Sequence, residues 1–474
     1  MVRYILACVM GFEAIFLSLP CLVSIIYREK TGWAFFVTLC LCATLWLIGT
    51  RKQPKSKVFF AREGFLSVAL SWIALSVMGA LPFVLSGEIP SFIDAFFEAV
   101  SGFTTTGASV LDDVEVLSYT SIFWRSFTLW IGGMGVLVFM VAILPLSGSY
   151  NILLMKAESP GPSVGKFVPK IKNTAKLLYG IYFCLTIIQI VLLLCVKTPI
   201  FDALIISFGT AGTGGFGARA NSLQEYSIYV QWITTIFMVL FGINFNVYYL
   251  LLAKKWKQAL LCEEMRYYFG IIIFVVIAVA CNIYSMFSNW FEALHHSAFQ
   301  VVSIITTTAY STVDFDQWPS FSKCLLIVLM FIGSCAGSTG GGIKVSRFVI
   351  IMKTFFKEIY QMIHPKGVRV IRFEGKKVEH NVLRSINTYF AGYILVFVTS
   401  IVMIGLNNFD LITNFTSVVA ALNNIGAGLE LVGPKGNFGD FSVLSKIVLS
   451  FDMLAGRLEL FPILLLFVPS TWKR

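Results

Sequence analysis

An all-α polytopic membrane protein is the fold class this sequence predicts, and three observations predict it. Hydrophobic residues make up 57% of the 474 and charged residues 13%, with a mean hydropathy of +0.81. Soluble chains average about 25% charged residues, so there are too few charges here to cover two or more ordinary domains. Long apolar stretches recur, and a helix needs about 20 such residues to cross a bilayer. Four shorter apolar stretches lie between them, each ending in small or polar residues. Disorder, collagen and coiled coil fail on the same composition.

Taken in order, ten long candidates run over 4–26, 33–48, 65–85, 123–146, 177–196, 228–252, 268–286, 325–352, 389–406 and 443–468. The first has no small-residue cleavage site and leads into more apolar sequence, so it reads as a retained helix. An even number of crossings places both termini on one side. The polar loops 51–63, 147–176, 253–267 and 353–385 hold 22 of the 36 Lys and Arg, with 7 acids. The loops assigned to the other face hold 5 bases and 15 acids. Basic loops stay in the cytoplasm, so both termini are expected inside. The formal charge of +11 then reflects orientation and lipid contact, and no nucleic-acid partner is expected. Part of 353–384 is also open to docking a partner.

The short stretches fill the gaps after the third, fifth, seventh and ninth candidates. They end in Thr105-Thr106-Gly107, Thr213-Gly214-Gly215, Thr307-Thr308-Ala309 and Asn424-Ile425-Gly426. The last residues of these triplets are spaced by 108, 94 and 117, and an acid (Asp94, Asp202, Glu292, Asp410) precedes each by 13 to 17 positions. Such internal repetition is an architectural signal. It predicts a two-helix segment over 1–50 and four units of helix, pore helix and returning helix over 58–150, 170–256, 266–356 and 384–474. Four copies around one axis make a pseudo-fourfold ion pore.

Irregular backbone at membrane depth survives where it is buried in protein or lines a watery cavity. Four extended segments meeting at an axis can turn their carbonyls inward and replace the water shell of a monovalent cation. Such a strand needs some positive φ angles, which glycine adopts at little cost. Each short helix would aim its partly negative C-terminal end at the centre. The acids before the strands read as helix N-caps or as cation-concentrating charges. Asp112, Asp113, Asp314 and Asp316 are better placed for the second role, with a solvated loop face as the alternative.

Two glycine motifs are set aside. Gly212 to Gly217 fits GxGxxG but lacks a preceding strand and a downstream acid. Gly337 to Gly342 with Lys344 resembles a phosphate loop, yet the lysine comes one position late. Gly337, Ser338, Thr339, Gly340, Gly341, Gly342 and Lys344 instead interrupt the eighth candidate. They are expected to form an unwound gate loop, with close helix packing through small residues as the alternative. Arg457 lies inside the last candidate, where a charge is rare. It is expected either to pair with Asp452 or another carboxylate, or to act as a positive group beneath the filter. Nine of the ten cysteines sit in apolar runs without metal or disulfide spacing, so no bound metal cofactor or disulfide frame is expected.

Thr104 to Ala108, Gly333 to Lys344, Asn423 to Gly426 and Gly456 to Glu459 together resemble the Trk/Ktr potassium-uptake permease family, and most of all its TrkH-type membrane subunit. The resemblance covers almost the whole chain. It implies a potassium-permeable channel-like pore in the bacterial inner membrane, usually as a homodimer. K⁺ is then the transported ion, and a TrkA-type nucleotide-binding ring docks on the inner face. It also implies that the glycine-rich loop is the gate and Arg457 the pore arginine. A sodium-permeable or cation-coupled symporter on this fold stays open, and an intramembrane enzyme is the distant alternative. Ala309 departs from the family's usual glycine. A methyl at positive φ costs about 1 kcal/mol, or the strand relaxes away; either predicts a looser third quarter and weaker K⁺ over Na⁺ discrimination.

Overall fold

The computed structural model describes residues 2–51, 61–135, 171–367 and 369–472. Among the described residues the fold is helical apart from one antiparallel hairpin, β1 (Arg372–Phe373) with β2 (Lys376–Lys377). Six helices among the described residues are long and apolar enough to cross a membrane, or seven if one bent pair counts as a span. The loops 51–63 and 147–176, and the end of the fourth candidate, lie largely outside the described residues.

The first two helices, α1 (Val2–Tyr27) and α2 (Gly32–Thr50), pack closely because small residues line the seam. A side chain on Gly49 would overlap Ala7, and one on Gly32 would overlap Ser24. The large residues Trp33, Phe36 and Trp46 stay exposed on α2, as suits a lipid-facing surface. This pair leans on α3 (Ala61–Ser86) and α5 (Tyr119–Met134), where Phe16 meets Phe127 edge-on. Glu29, in the turn between α1 and α2, accepts from the N–H groups of Tyr119 and Thr120 at 2.8 and 2.9 Å, and from Thr120 Oγ1 at 2.6 Å. One carboxylate thus caps α5 and anchors the preface to it.

Four short helices recur: α4 (Phe92–Phe103), α7 (Ile200–Gly212), α12 (Trp290–Ile305) and α16 (Leu411–Leu422). At 12 to 16 residues they are too short to span. The long helices beside the last three are α6 (Ile171–Cys195), α11 (Glu263–Ile283) and α15 (His380–Ile404).

Three expected spans are not continuous. The sixth bends by 88° between α8 (Ile228–Gly242) and α9 (Phe245–Leu252). There Asn244 leaves the helix and caps α9, accepting from the Asn246 N–H at 2.9 Å; α10 (Trp256–Leu260) follows. The eighth splits into α13 (Ser320–Ile332) and α14 (Val345–Ile363), because Gly333 and Lys344 take φ of +71° and +80°. The tenth ends as α17 (Val443–Arg457), since Glu459 and Leu460 take φ of +56° and +67° before the short α18 (Phe461–Leu464).

Replacing Glu29 with Ala removes three acceptor contacts across the preface. It should lower stability by about 1–2 kcal/mol, read as a lower melting temperature in detergent.

Candidate functional site

Each short helix runs into a strand of one repeated conformation. Positive φ falls at Thr105 and Gly107, Thr213 and Gly215, Thr307 and Ala309, and Asn424 and Gly426. In the first strand, the N–H groups of Thr106 and Gly107 both donate to Ser101 O, at 2.9 and 3.4 Å. Gly214 and Gly215 do the same to Gly209 O, Thr308 and Ala309 to Ser303 O, and Ile425 and Gly426 to Ala420 O. All twelve predicted strand residues therefore take part in this arrangement. In a trans peptide the carbonyl points opposite to its N–H. The carbonyls of Thr105, Thr106, Thr213, Gly214, Thr307, Thr308, Asn424 and Ile425 consequently face away from the helices.

The strands also touch in a common way. A side chain on Gly107 would overlap Gly214 O, one on Gly215 would overlap Thr308 O, and one on Gly426 would overlap Thr106 O. The first strand thus abuts the second and the fourth, and the second abuts the third. Thr104 and Thr106 hydroxyls lie 2.8 Å apart, as Thr306 and Thr308 hydroxyls do at 2.9 Å. Asn424 Nδ2 donates to Thr106 Oγ1 at 3.0 Å and to Met453 O at 2.8 Å, tying the fourth strand to the first and to α17. The third strand does not relax away: Ala309 holds φ +59° with the same hydrogen bonds as its glycine counterparts.

The glycine-rich segment closes against these strands. Gly341 N–H donates to Thr307 Oγ1 at 2.8 Å, and a side chain on Gly341 would overlap Asn423 O. Gly337 and Gly342 take φ of +72° and +77°. Lys344 Nζ folds back to donate to Gly340 O. Arg457 donates from Nη1 to Thr339 O at 2.9 Å and from Nη2 to Gly132 O at 2.5 Å. Asp452, the acid that sequence offered as its partner, instead accepts from Ser400 Oγ at 2.8 Å. A cavity of about 150 Å³ lies here, lined by residues that include Trp72, Tyr182, Gly337 to Gly342, Asn424 and Arg457. The predicted loop, the arginine and the fourth strand therefore share one space.

A family profile for TrkH, a cation transport protein, matches residues 30–474. The chain belongs to the TrkH family. The Trk system potassium uptake protein TrkH of Salmonella typhimurium is 38% identical over 472 residues, 96% of this chain and 95% of that protein. The Trk system potassium uptake protein TrkG of Escherichia coli is 33% identical, covering 96% and 94%. The crystal structure of the potassium transporter TrkH from Vibrio parahaemolyticus superposes with a TM-score of 0.86 at 33% identity, covering 99% of both chains. Membership together with the apolar helices makes this a multi-pass membrane protein.

Within this TrkH-family fold the acids before the strands behave differently from one another. Asp410 is an N-cap, accepting from Thr413 N–H at 2.9 Å. Ser91 and Asn289 cap α4 and α12 instead, placing Asp94 and Glu292 inside the first turn. Pro199 precedes α7, with Asp202 likewise in its first turn. Asp94 pairs with Lys446 at 2.6 Å, and Asp202 accepts from the Tyr226 hydroxyl at 2.9 Å. Sequence reasoning missed a buried pair behind the first strand, Arg125 with Glu98 at 2.6 Å. Glu98 also accepts from Val110 N–H, and Arg125 stacks over Phe216 at 4.1 Å. Arg125 lies in an apolar run much as Arg457 does, and that was the available signal.

The loop acids are engaged in turns. Asp113 caps one by accepting from Glu115 N–H, Asp112 accepts from Asn437, and Asp314 lies 3.6 Å from Lys435. Burial pushes the half-buried Asp316 carboxyl up from 3.8 to about 6, with Asp314 and Glu430 adding to the rise while a backbone hydrogen bond at Glu430 and the Lys323 charge oppose it.

Two outcomes follow from this geometry. Gly107→Ala puts a methyl into Gly214 O, so ⁸⁶Rb⁺ flux in vesicles should fall by about tenfold or more. For Asp316 the folded state binds the proton more tightly than the unfolded chain, so its stabilisation is complete below pH 3.8 and is lost as pH rises through about 6. Screening at this half-buried site limits the swing to about 1 kcal/mol. Melts of Asp316→Asn across this pH range should lack that decline.

Proposed function

We propose that this chain carries potassium into the cell through the four strands, the glycine-rich loop acting as gate. The observation that carries this reading is the repeated peptide geometry, which turns eight carbonyl oxygens away from the short helices. Carbonyl oxygens so arranged can exchange for the hydration shell of a bare monovalent cation. The helix C-termini behind them add partial negative charge. The sequence repeats over 58–150, 170–256, 266–356 and 384–474 then surround one pseudo-fourfold path, with the 1–50 segment outside it. Relatives named as potassium uptake proteins support the choice of ion.

Beneath the strands, Arg457 and the Thr339–Gly342 segment share the cavity. In this reading they close the path: the loop blocks it sterically and the guanidinium raises the barrier to a cation. Opening requires the loop to leave Thr307 and Arg457. The inner-membrane location, cytoplasmic termini, homodimer and TrkA-type nucleotide-binding partner belong to the same reading, supported by the basic loops and the family. K⁺ is cargo here, with no resident cofactor required.

A sodium-permeable variant of this function is favoured by one residue, Ala309. Its methyl at φ +59° stores strain that the three glycines avoid. Purified protein in vesicles should take up ⁸⁶Rb⁺, with Na⁺ competing more strongly than it does against the Ala309→Gly variant. Arg457→Ala should raise that uptake, and a folded variant with unchanged uptake would remove Arg457 from the gate. Ala309→Gly should raise the K⁺/Na⁺ permeability ratio by about fivefold at most, the equivalent of about 1 kcal/mol.

A further inference from the structure

We propose that Glu264 is the positioning residue that holds the glycine-rich loop shut, acting as a carboxylate clasp on both of its ends. This rests on the reading of that loop as the gate. Glu264 sits in the first turn of α11 and is 3% exposed. Its Oε1 accepts from the N–H of Ala336, near the start of the loop, at 2.7 Å. The same oxygen accepts from the N–H of Ser346, two residues past Lys344, at 3.1 Å. Its Oε2 accepts from Asn244 Nδ2 at 3.3 Å. One side chain therefore gathers the two ends of the loop and the kink between α8 and α9.

The kink itself receives the loop. Cys335 N–H donates to Gly242 O at 3.1 Å, and Phe245 N–H donates to Gly337 O at 3.0 Å. A glycine-rich segment has little conformational preference of its own, so its shape depends on such outside partners. Hydrogen bonds to an ionised group are stronger than neutral ones, and those from Ala336 and Ser346 converge on a single carboxylate. Removing it strands two buried N–H groups. Glu264 is steadied in turn by the β1–β2 hairpin. Glu374, in the hairpin turn, accepts from Glu264 N–H at 3.1 Å, and its own N–H donates to Glu263 Oε2 at 3.0 Å. A displacement of the hairpin would reach the loop through two side chains.

The test uses the full chain in vesicles without any soluble partner. It reads ⁸⁶Rb⁺ uptake and maleimide labelling of Cys335, which is fully buried in the loop, with the labelled peptide resolved by mass spectrometry. Glu264→Ala should raise both uptake and Cys335 labelling by about fivefold or more, as expected when buried N–H groups lose their acceptor. Glu264→Gln keeps an oxygen for both N–H groups and should stay within about twofold of the unmodified protein. Ser346→Pro deletes one donor in a first helical turn, where proline is tolerated, and carries the same expectation as Glu264→Ala should that variant not fold. Unchanged uptake with protected Cys335 in these variants overturns the clasp, as does equal behaviour of the Gln and Ala variants. Raised uptake in Arg457→Ala alone overturns the clasp and leaves the gate reading standing. Labelled Cys335 with unchanged uptake in both Glu264→Ala and Arg457→Ala overturns the gate reading and the proposal with it.

Discussion

A peptide group in a low-dielectric interior must satisfy its N–H, and in the trans form doing so decides where its carbonyl points. Everything at this site depends on that rule. Four times, a single carbonyl near the end of a short helix accepts two successive N–H groups of the strand that follows. Two left-handed residues, two positions apart, are what allow one chain to present both N–H groups to the same acceptor. The carbonyls are then committed to the opposite side. Side chains at these positions matter less for their chemistry than for tolerating that backbone, which is why Thr, Gly, Ala and Asn all serve.

Much of this was legible in the residues. The spacing of Gly107, Gly215, Ala309 and Gly426 exposed the repeat, and small-residue endings marked the strands. The interruption at Gly337 to Gly342 followed from glycine's cost in a helix. What stayed hidden were breaks that composition does not announce. The stretch 228–252 carries no charged residue, yet it bends at Asn244 because a neighbouring loop supplies partners there, a tertiary fact. The end of α17 likewise depends on positive φ at Glu459 and Leu460, which no propensity would place there. The acids before the short helices look equivalent in sequence, but serine and asparagine neighbours took the capping role from two of them.

The buried charges divide by what they touch. Arg125 and Glu98 are mutually paired, and with Val110 N–H they brace the segment after the first strand. Such a pair stabilises little against an apolar alternative, though losing one partner is costly. Lys344 and Arg457 donate to carbonyls of Gly340 and Thr339 in the loop. The first pair ties two charged side chains to each other, whereas these two cations are tied to backbone carbonyls of the loop.

The loop between α13 and α14 lodges in the bend between α8 and α9, so one broken helix pair completes another. A ring of four identical subunits would have to repeat such an interlock, and the loop that makes it, four times. Joining the quarters in one polypeptide lifts that obligation. Here the described residues contain one such loop, met by the Arg457 guanidinium, while the peptide geometry stays common to the four strands.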